Sequence, residues 1–165
     1  GMKYNGQVII KNVRQDRKPL DSSDAWHKDL GNGFKRKFGI DARAKGLFTM
    51  ISSASLTPYG AGYIVLPFGS YYCLWSDKVY DAAEYEPTSI YDWGWGGDGD
   101  GMQKSADAHA DKLLKTYKKG SLVDAVKDFP TWFKPTRTEV IVICKKYYAV
   151  SLSIRDELDE YIREL

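Results

Sequence analysis

Short apolar runs and spaced apolar stripes divide this chain into strands and helices. Residues 5–10 (NGQVII) close in a run that reads as a strand. Pro19 then interrupts regular structure. Ser22 or Ser23 is placed to cap a helix with Trp26, Leu30, Phe34 and Phe38 on one face. Gly31 and Gly33 weaken that helix or split it. Residues 45–51 read as a strand, and SSASLTPYGAG follows with a turn at Pro58. Residues 62–67 and 70–75 flank Phe68-Gly69 and read as consecutive strands or one hairpin.

Further on, Ala106, Ala110, Leu113, Leu114 and Tyr117 recur at helical spacing, which predicts a helix over 103–118 ended by Gly120. A short helix over 121–128 would turn Leu122, Val123 and Val126 inward. Pro130 and Pro135 bracket a linker. Residues 138–144 (TEVIVIC) and 147–152 (YYAVSL) are the strongest strands, and Lys145-Lys146 between them reads as a tight turn or a bulge. Ser153 and Asp156 would cap a last helix striped by Ile154, Leu158, Tyr161 and Leu165. Strands at both ends with helices between give an α+β class. We expect a single domain over 3–165, with mixed or antiparallel sheets and flanking helices.

Composition changes this picture in two places. The chain holds 12 tyrosines among 165 residues. The adjacent pairs Tyr71/Tyr72 and Tyr147/Tyr148 point to opposite faces of a strand, so the count predicts a sheet with a tyrosine-lined, half-exposed face. Between 76 and 101, seven acids stand against Lys78, and the segment ends in the acidic, glycine-rich stretch 92–101, which reads as a loop. Trp93 and Trp95 in that loop resemble the tip of a protein-binding hot spot.

Overall charge is +2, from 24 Lys and Arg against 22 Asp and Glu. Such balance argues against a nucleic-acid coat. The ingredients for a local basic patch remain in Lys35, Arg36, Lys37, Arg43 and Lys45 beside Phe34 and Phe38, and in Lys112, Lys115, Lys118 and Lys119. No run is long enough for a membrane span, and Gly1-Met2 reads as the remnant of a removed tag, so a cytoplasmic protein is the default. Cys73 and Cys144 lie in apolar runs and read as buried free thiols. There is no Walker loop, no nucleophile elbow and no paired-cysteine zinc motif, so no metal is expected. Asp98-Gly-Asp100-Gly lacks the closing glutamate of an EF-hand.

Three polar signals interrupt the apolar runs. Arg14 and Arg17 follow the first strand, and arginine forks bind phosphates. Asp16 offers them a plain surface partner. Thr49 and Ser52 stand at the end of the second strand, where hydroxyls anchor a ribose, orient a carboxylate or cap a helix. Glu139 opens a wholly apolar strand. A carboxylate there can stabilise an oxocarbenium-like centre, or simply point to water with Arg137 as its partner.

In this order (strand with arginine, strand with Ser/Thr, strand with glutamate) the sequence resembles the ADP-ribosyltransferase-like fold of the arginine–serine–glutamate class. The resemblance spans roughly 5–152 and implies a split pair of sheets and NAD-dependent ADP-ribosyl transfer to a protein or other acceptor. It implies that Arg14, with Arg17 as rival, contacts NAD. Thr49 or Ser52 would support Glu139, the catalytic glutamate, and Tyr59 would pack on nicotinamide. Departures are visible: Thr49-Met50-Ile51-Ser52-Ser53 replaces Ser-Thr-Ser, and Arg137-Thr138-Glu139 replaces a paired acid or amide. The Arg-x-x-Arg-x-Pro and Phe-Gly-x-x-Ala-Arg stretches also resemble small bacteriophage or bacterial proteins. Two further classes stay open: a non-enzymatic interaction or assembly protein using Trp93 and Trp95, and a nucleic-acid-binding protein.

Overall fold

The computed structural model describes residues 8–20, 22–50, 62–87, 99–129 and 138–152, with 99–106 as helical backbone. The order is β1 (Val8–Asn12), α1 (Asp24–Phe38), α2 (Ala42–Lys45), β2 (Leu47–Met50), β3 (Tyr63–Phe68) and β4 (Tyr72–Trp75). A 3-10 turn (Ala82–Tyr85) follows, then α3 (Gly99–Leu114), β5 (Lys118–Gly120), α4 (Leu122–Asp128), β6 (Glu139–Ile143) and β7 (Lys146–Ser151). The fold is α+β in a single domain, with two antiparallel sheets. One has three strands in the order β1-β7-β3, the other four in the order β2-β6-β4-β5.

Three layers result. Trp26, Leu30 and Phe34 of α1 and Ala110 and Leu114 of α3 pack on Leu74 and Ile141, one face of the four-stranded sheet. Cys73, Trp75, Val140 and Val142 form its other face and meet Tyr147, Ala149, Ile9, Tyr63 and Val65 of the three-stranded sheet. The four-stranded sheet is therefore covered on both sides. The continuous apolar run of β6 is what such a strand requires. Each fully buried Leu or Phe contributes about 1.5–3 kcal/mol through burial. Both cysteines are buried and free, as expected.

Helix α1 starts where the sequence placed it. The Ser23 side chain accepts from the Trp26 N–H at 3.1 Å, and Gly39 closes the helix at φ 76°. The two internal glycines do not split it. A Cβ on Gly33 would stand 2.6 Å from Leu114 Cδ1, so the missing side chain lets α3 lie close. Helix α3 departs from the expected bounds at both ends. It begins at Gly99, inside the stretch expected to be loop. It ends at Leu114, not at Gly120, because Lys118–Gly120 leaves to pair with β4. The Lys37 ammonium donates to the carbonyls of Leu114, Lys115 and Tyr117 and closes that end.

Neither apolar strand pair is a hairpin. β3 joins the three-stranded sheet and β4 the four-stranded one, and the chain turns between them at Gly69 with φ 77°. β6 and β7 are divided in the same way at Cys144-Lys145, so neither a tight turn nor a bulge applies. The cause is alternation: one sheet cannot put both runs against a single core, whereas two stacked sheets can. In α4 the Ser121–Asp124 capping box holds as a helix start. Its inward face is Ala125 alone; Leu122, Val123 and Val126 are exposed, which corrects the expected orientation.

The outer face of the three-stranded sheet carries one tyrosine, Tyr148, beside Phe68 and several aliphatic residues, not a tyrosine lining. In register, its rows are Val8–Val150–Ile64, Ile10–Tyr148–Leu66 and Asn12–Lys146–Phe68. Ile10, Leu66 and Phe68 are 64, 50 and 56 % exposed. Tyr147 is buried and Tyr148 half-buried, the expected split for adjacent strand positions. Among the described residues no helix is long and apolar enough to cross a membrane.

Candidate functional site

A buried charged cluster lies at the end of the four-stranded sheet, on its helix side. Glu139 opens β6, and its N–H donates to the Tyr80 carbonyl at 2.8 Å. Strand alternation puts Glu139 on the same face as Ile141, under the helices. Its Oε2 lies 3.7 Å from Arg43 Nη1, and both side chains are only 8 % exposed. The Tyr117 hydroxyl donates to Oε1 at the outer limit of a hydrogen bond, 3.5 Å. Glu139 is thus buried and partnered by Arg43. Arg137, its sequence-adjacent candidate partner, lies outside the described residues.

Burial dominates the protonation of this group. It pushes the Glu139 carboxyl up to about 8, against the downward pull of Arg43. Asp81 adds to the rise and Arg17 opposes it. Burial, and then Glu139, raise the Tyr117 phenol well above its ordinary range, so it remains a donor. Burial, with Arg43 second, lowers the His27 imidazole.

Arg43 reaches this position through a compact turn. Asp41 caps α2 by accepting from the Ala44 N–H at 3.0 Å. Gly46 then passes close to β6, where a Cβ would meet Ile141 and the Ala42 carbonyl. Small residues around Arg43 let the turn approach the sheet. The Arg43 guanidinium sits 4.7 Å from the Phe48 ring centroid, and the Arg17 guanidinium sits 4.6 Å from the same centroid. Arg17 keeps contact with solvent, and its backbone N–H donates to the Ala44 carbonyl. Burial and then Arg43 lower its pKa, and Glu139 acts in the opposite direction.

The expected site residues fall into three groups. Glu139 and Arg17 come together at the cluster. Arg14 does not join them: it is exposed and lies 3.5 Å from Asp16. Thr49 lies on the opposite side of β2, and its hydroxyl donates to the Val140 carbonyl at 2.7 Å. On a pleated strand, Phe48 and Met50 share the side of Glu139 while Leu47 and Thr49 face the other sheet. Thr49 is therefore not the hydroxyl that orients Glu139. Ser52, Tyr59, Trp93 and Trp95 lie outside the described residues.

Arg43 and Tyr117 are the members that sequence spacing missed. Arg43 was counted in a basic patch, and Tyr117 in an apolar helix stripe. Other residues of that patch are engaged within the protein. Arg36 binds Asp107 and Asp111, and Lys118 binds Asp128 at 2.9 Å. Among the described residues no three His, Cys, Asp or Glu side chains converge as metal ligands. Comparison with family models, with curated proteins and with solved structures found no match.

Proposed function

We propose that the chain transfers ADP-ribose from NAD, with Glu139 as the working carboxylate. The observation that supports this reading is Glu139 itself. It is a buried acid at the head of β6, 3.7 Å from Arg43, whose guanidinium shares the Phe48 ring with that of Arg17. In this reading the carboxylate binds the nicotinamide ribose and stabilises the cationic centre as the glycosidic bond breaks. Arg17, which touches solvent, meets the phosphates of NAD. Arg43 covers Glu139 in the free protein and moves aside for the ribose.

Only the ionised carboxylate stabilises positive charge. Turnover should therefore rise with pH through about 8, where Glu139 loses its proton. The test is nicotinamide release from NAD by the wild type and by Glu139→Gln, measured from pH 6 to 9.5. Turnover that rises in the wild type and is absent in the variant supports the role. Equal turnover in both sinks it, as does none in either.

A second reading, self-assembly without catalysis, draws on the exposed apolar residues of the three-stranded sheet. Val8, Ile10, Ile64, Leu66 and Phe68 are exposed on it together. They present on the order of 500 Å² of apolar surface, toward the upper end of the patches that monomers show and often functional. Two copies stacked through this face would bury about 1,000 Å², the lower bound for a specific interface. Sedimentation velocity over a concentration series tests this. A dimer that Leu66→Glu dissociates supports it, and a wild type that stays monomeric throughout removes it.

A further inference from the structure

The Glu139–Arg43 contact is weak for a buried pair. It is a single approach at 3.7 Å, not the bidentate fork that arginine and carboxylate favour. The Arg43 Nε is buried and has no hydrogen-bond partner among the described residues. An unsatisfied donor on a buried cation is costly, so the arrangement leaves Arg43 with bonding capacity unused. Arg17 has capacity too: among the described residues its guanidinium stacks on Phe48 and has no ion pair. Burial and then Arg43 lower its pKa, Glu139 opposes them, and Arg14 adds to the fall. The Arg17 and Arg43 guanidinium carbons lie 4.6 and 4.7 Å from the centroid of the same Phe48 ring, so the two cations are neighbours.

We infer that Arg43 is an exchangeable partner: a diphosphate-bearing ligand seated on Arg17 takes Arg43 from Glu139 and so uncovers the carboxylate. A phosphate offers paired oxygens to the arginine fork, where Glu139 offers one distant contact. No bond is made or broken; the exchange is between ionic partners. Binding and uncovering are then one event, and the carboxylate stays covered until the ligand arrives. The inference rests on reading Glu139 as the working group, but its test needs no turnover.

The probe is inorganic pyrophosphate, titrated calorimetrically into the full chain at pH 9, where Glu139 is ionised. Carboxylate and diphosphate compete for Arg43, so Glu139→Gln should bind about fivefold tighter or more. Arg17→Met, changed at a solvent-touching site, should bind at least about tenfold more weakly. The double variant Arg43→Gln/Glu139→Gln removes the buried pair without leaving a lone charge, and should lose the tightening seen in Glu139→Gln. Equal affinity of wild type and Glu139→Gln overturns the exchange. Unchanged affinity in Arg17→Met overturns the seat. Pyrophosphate binding as expected with no NAD turnover would remove the transferase reading and leave this one standing. Turnover without the pyrophosphate coupling would do the reverse.

Discussion

The two sheets use similar residues in opposite ways. β6 carries Glu-Val-Ile-Val-Ile and is covered on both sides, so nearly every position is buried. β3 carries Tyr-Ile-Val-Leu-Pro-Phe, and its positions alternate between half-buried and exposed. An apolar run thus marks a strand without saying how many of its faces are covered. What separates the sheets is the layer above them. Helices α1 and α3 lie over the four-stranded sheet, whereas Ile10, Leu66 and Phe68 of the three-stranded sheet are at least half exposed. The only buried carboxylate–guanidinium pair among the described ion pairs belongs to the doubly covered sheet. Low dielectric gives its charges their leverage.

The largest effect should come from Ile141→Ala, which opens a cavity between the helices and the sheet and should cost about 2–5 kcal/mol in urea denaturation. Breaking the buried pair comes next. Arg43→Gln removes the cation that holds the Glu139 pKa down, so at pH 9 the buried carboxyl binds a proton and the loss should be about 1–2 kcal/mol. Adding Glu139→Gln should recover much of that loss, and a harmless single variant would mean that Arg43 does not reach the carboxyl.

A third test uses pH. The folded protein holds a proton on Glu139 up to about 8, whereas the unfolded chain releases it near 4.5. Between those values the native state binds more protons, so the wild type loses stability as pH rises. Glu139→Gln lacks this dependence. Its Tm should gain on the wild type by on the order of 10 °C between pH 5 and pH 9. Parallel Tm curves would mean a carboxyl with an ordinary pKa. The smallest effect is expected on the three-stranded sheet: Leu66→Ala, half exposed, should cost under about 1 kcal/mol. A cost as large as that of Ile141→Ala would show that the outer face is covered in solution.

Local signals were readable where local physics decides. Ser23 caps α1 because a hydroxyl satisfies a free N–H at any helix start, and Trp26, Leu30 and Phe34 fall on one face by period alone. Glu139 stood out as the acid of an apolar strand. Arg43 did not, because its burial depends on β2 pairing with β6, far away in sequence, and on Gly46 letting the turn close. The signal that would have found it is the capped, small-residue turn Asp41-Ala42-Arg43-Ala44, which leaves an arginine no room except against the sheet. The choice of Arg17 over Arg14 depends on the ring of Phe48, which only the folded β2 presents. The sheet changes at Gly69 and at Cys144-Lys145 were hidden for the same reason: turn residues are local, but sheet membership is not. The exposed apolar residues of α4 follow a helical period that marks a face without naming its cover.

The account turns on one buried carboxyl at the head of β6. Its titration can be followed directly by carbon-13 NMR of glutamate-labelled protein, with Glu139→Gln identifying the resonance. A midpoint near 8 is the predicted result. A midpoint near 4.5, the ordinary glutamate value, would contradict it and place Glu139 in water rather than beneath Arg43.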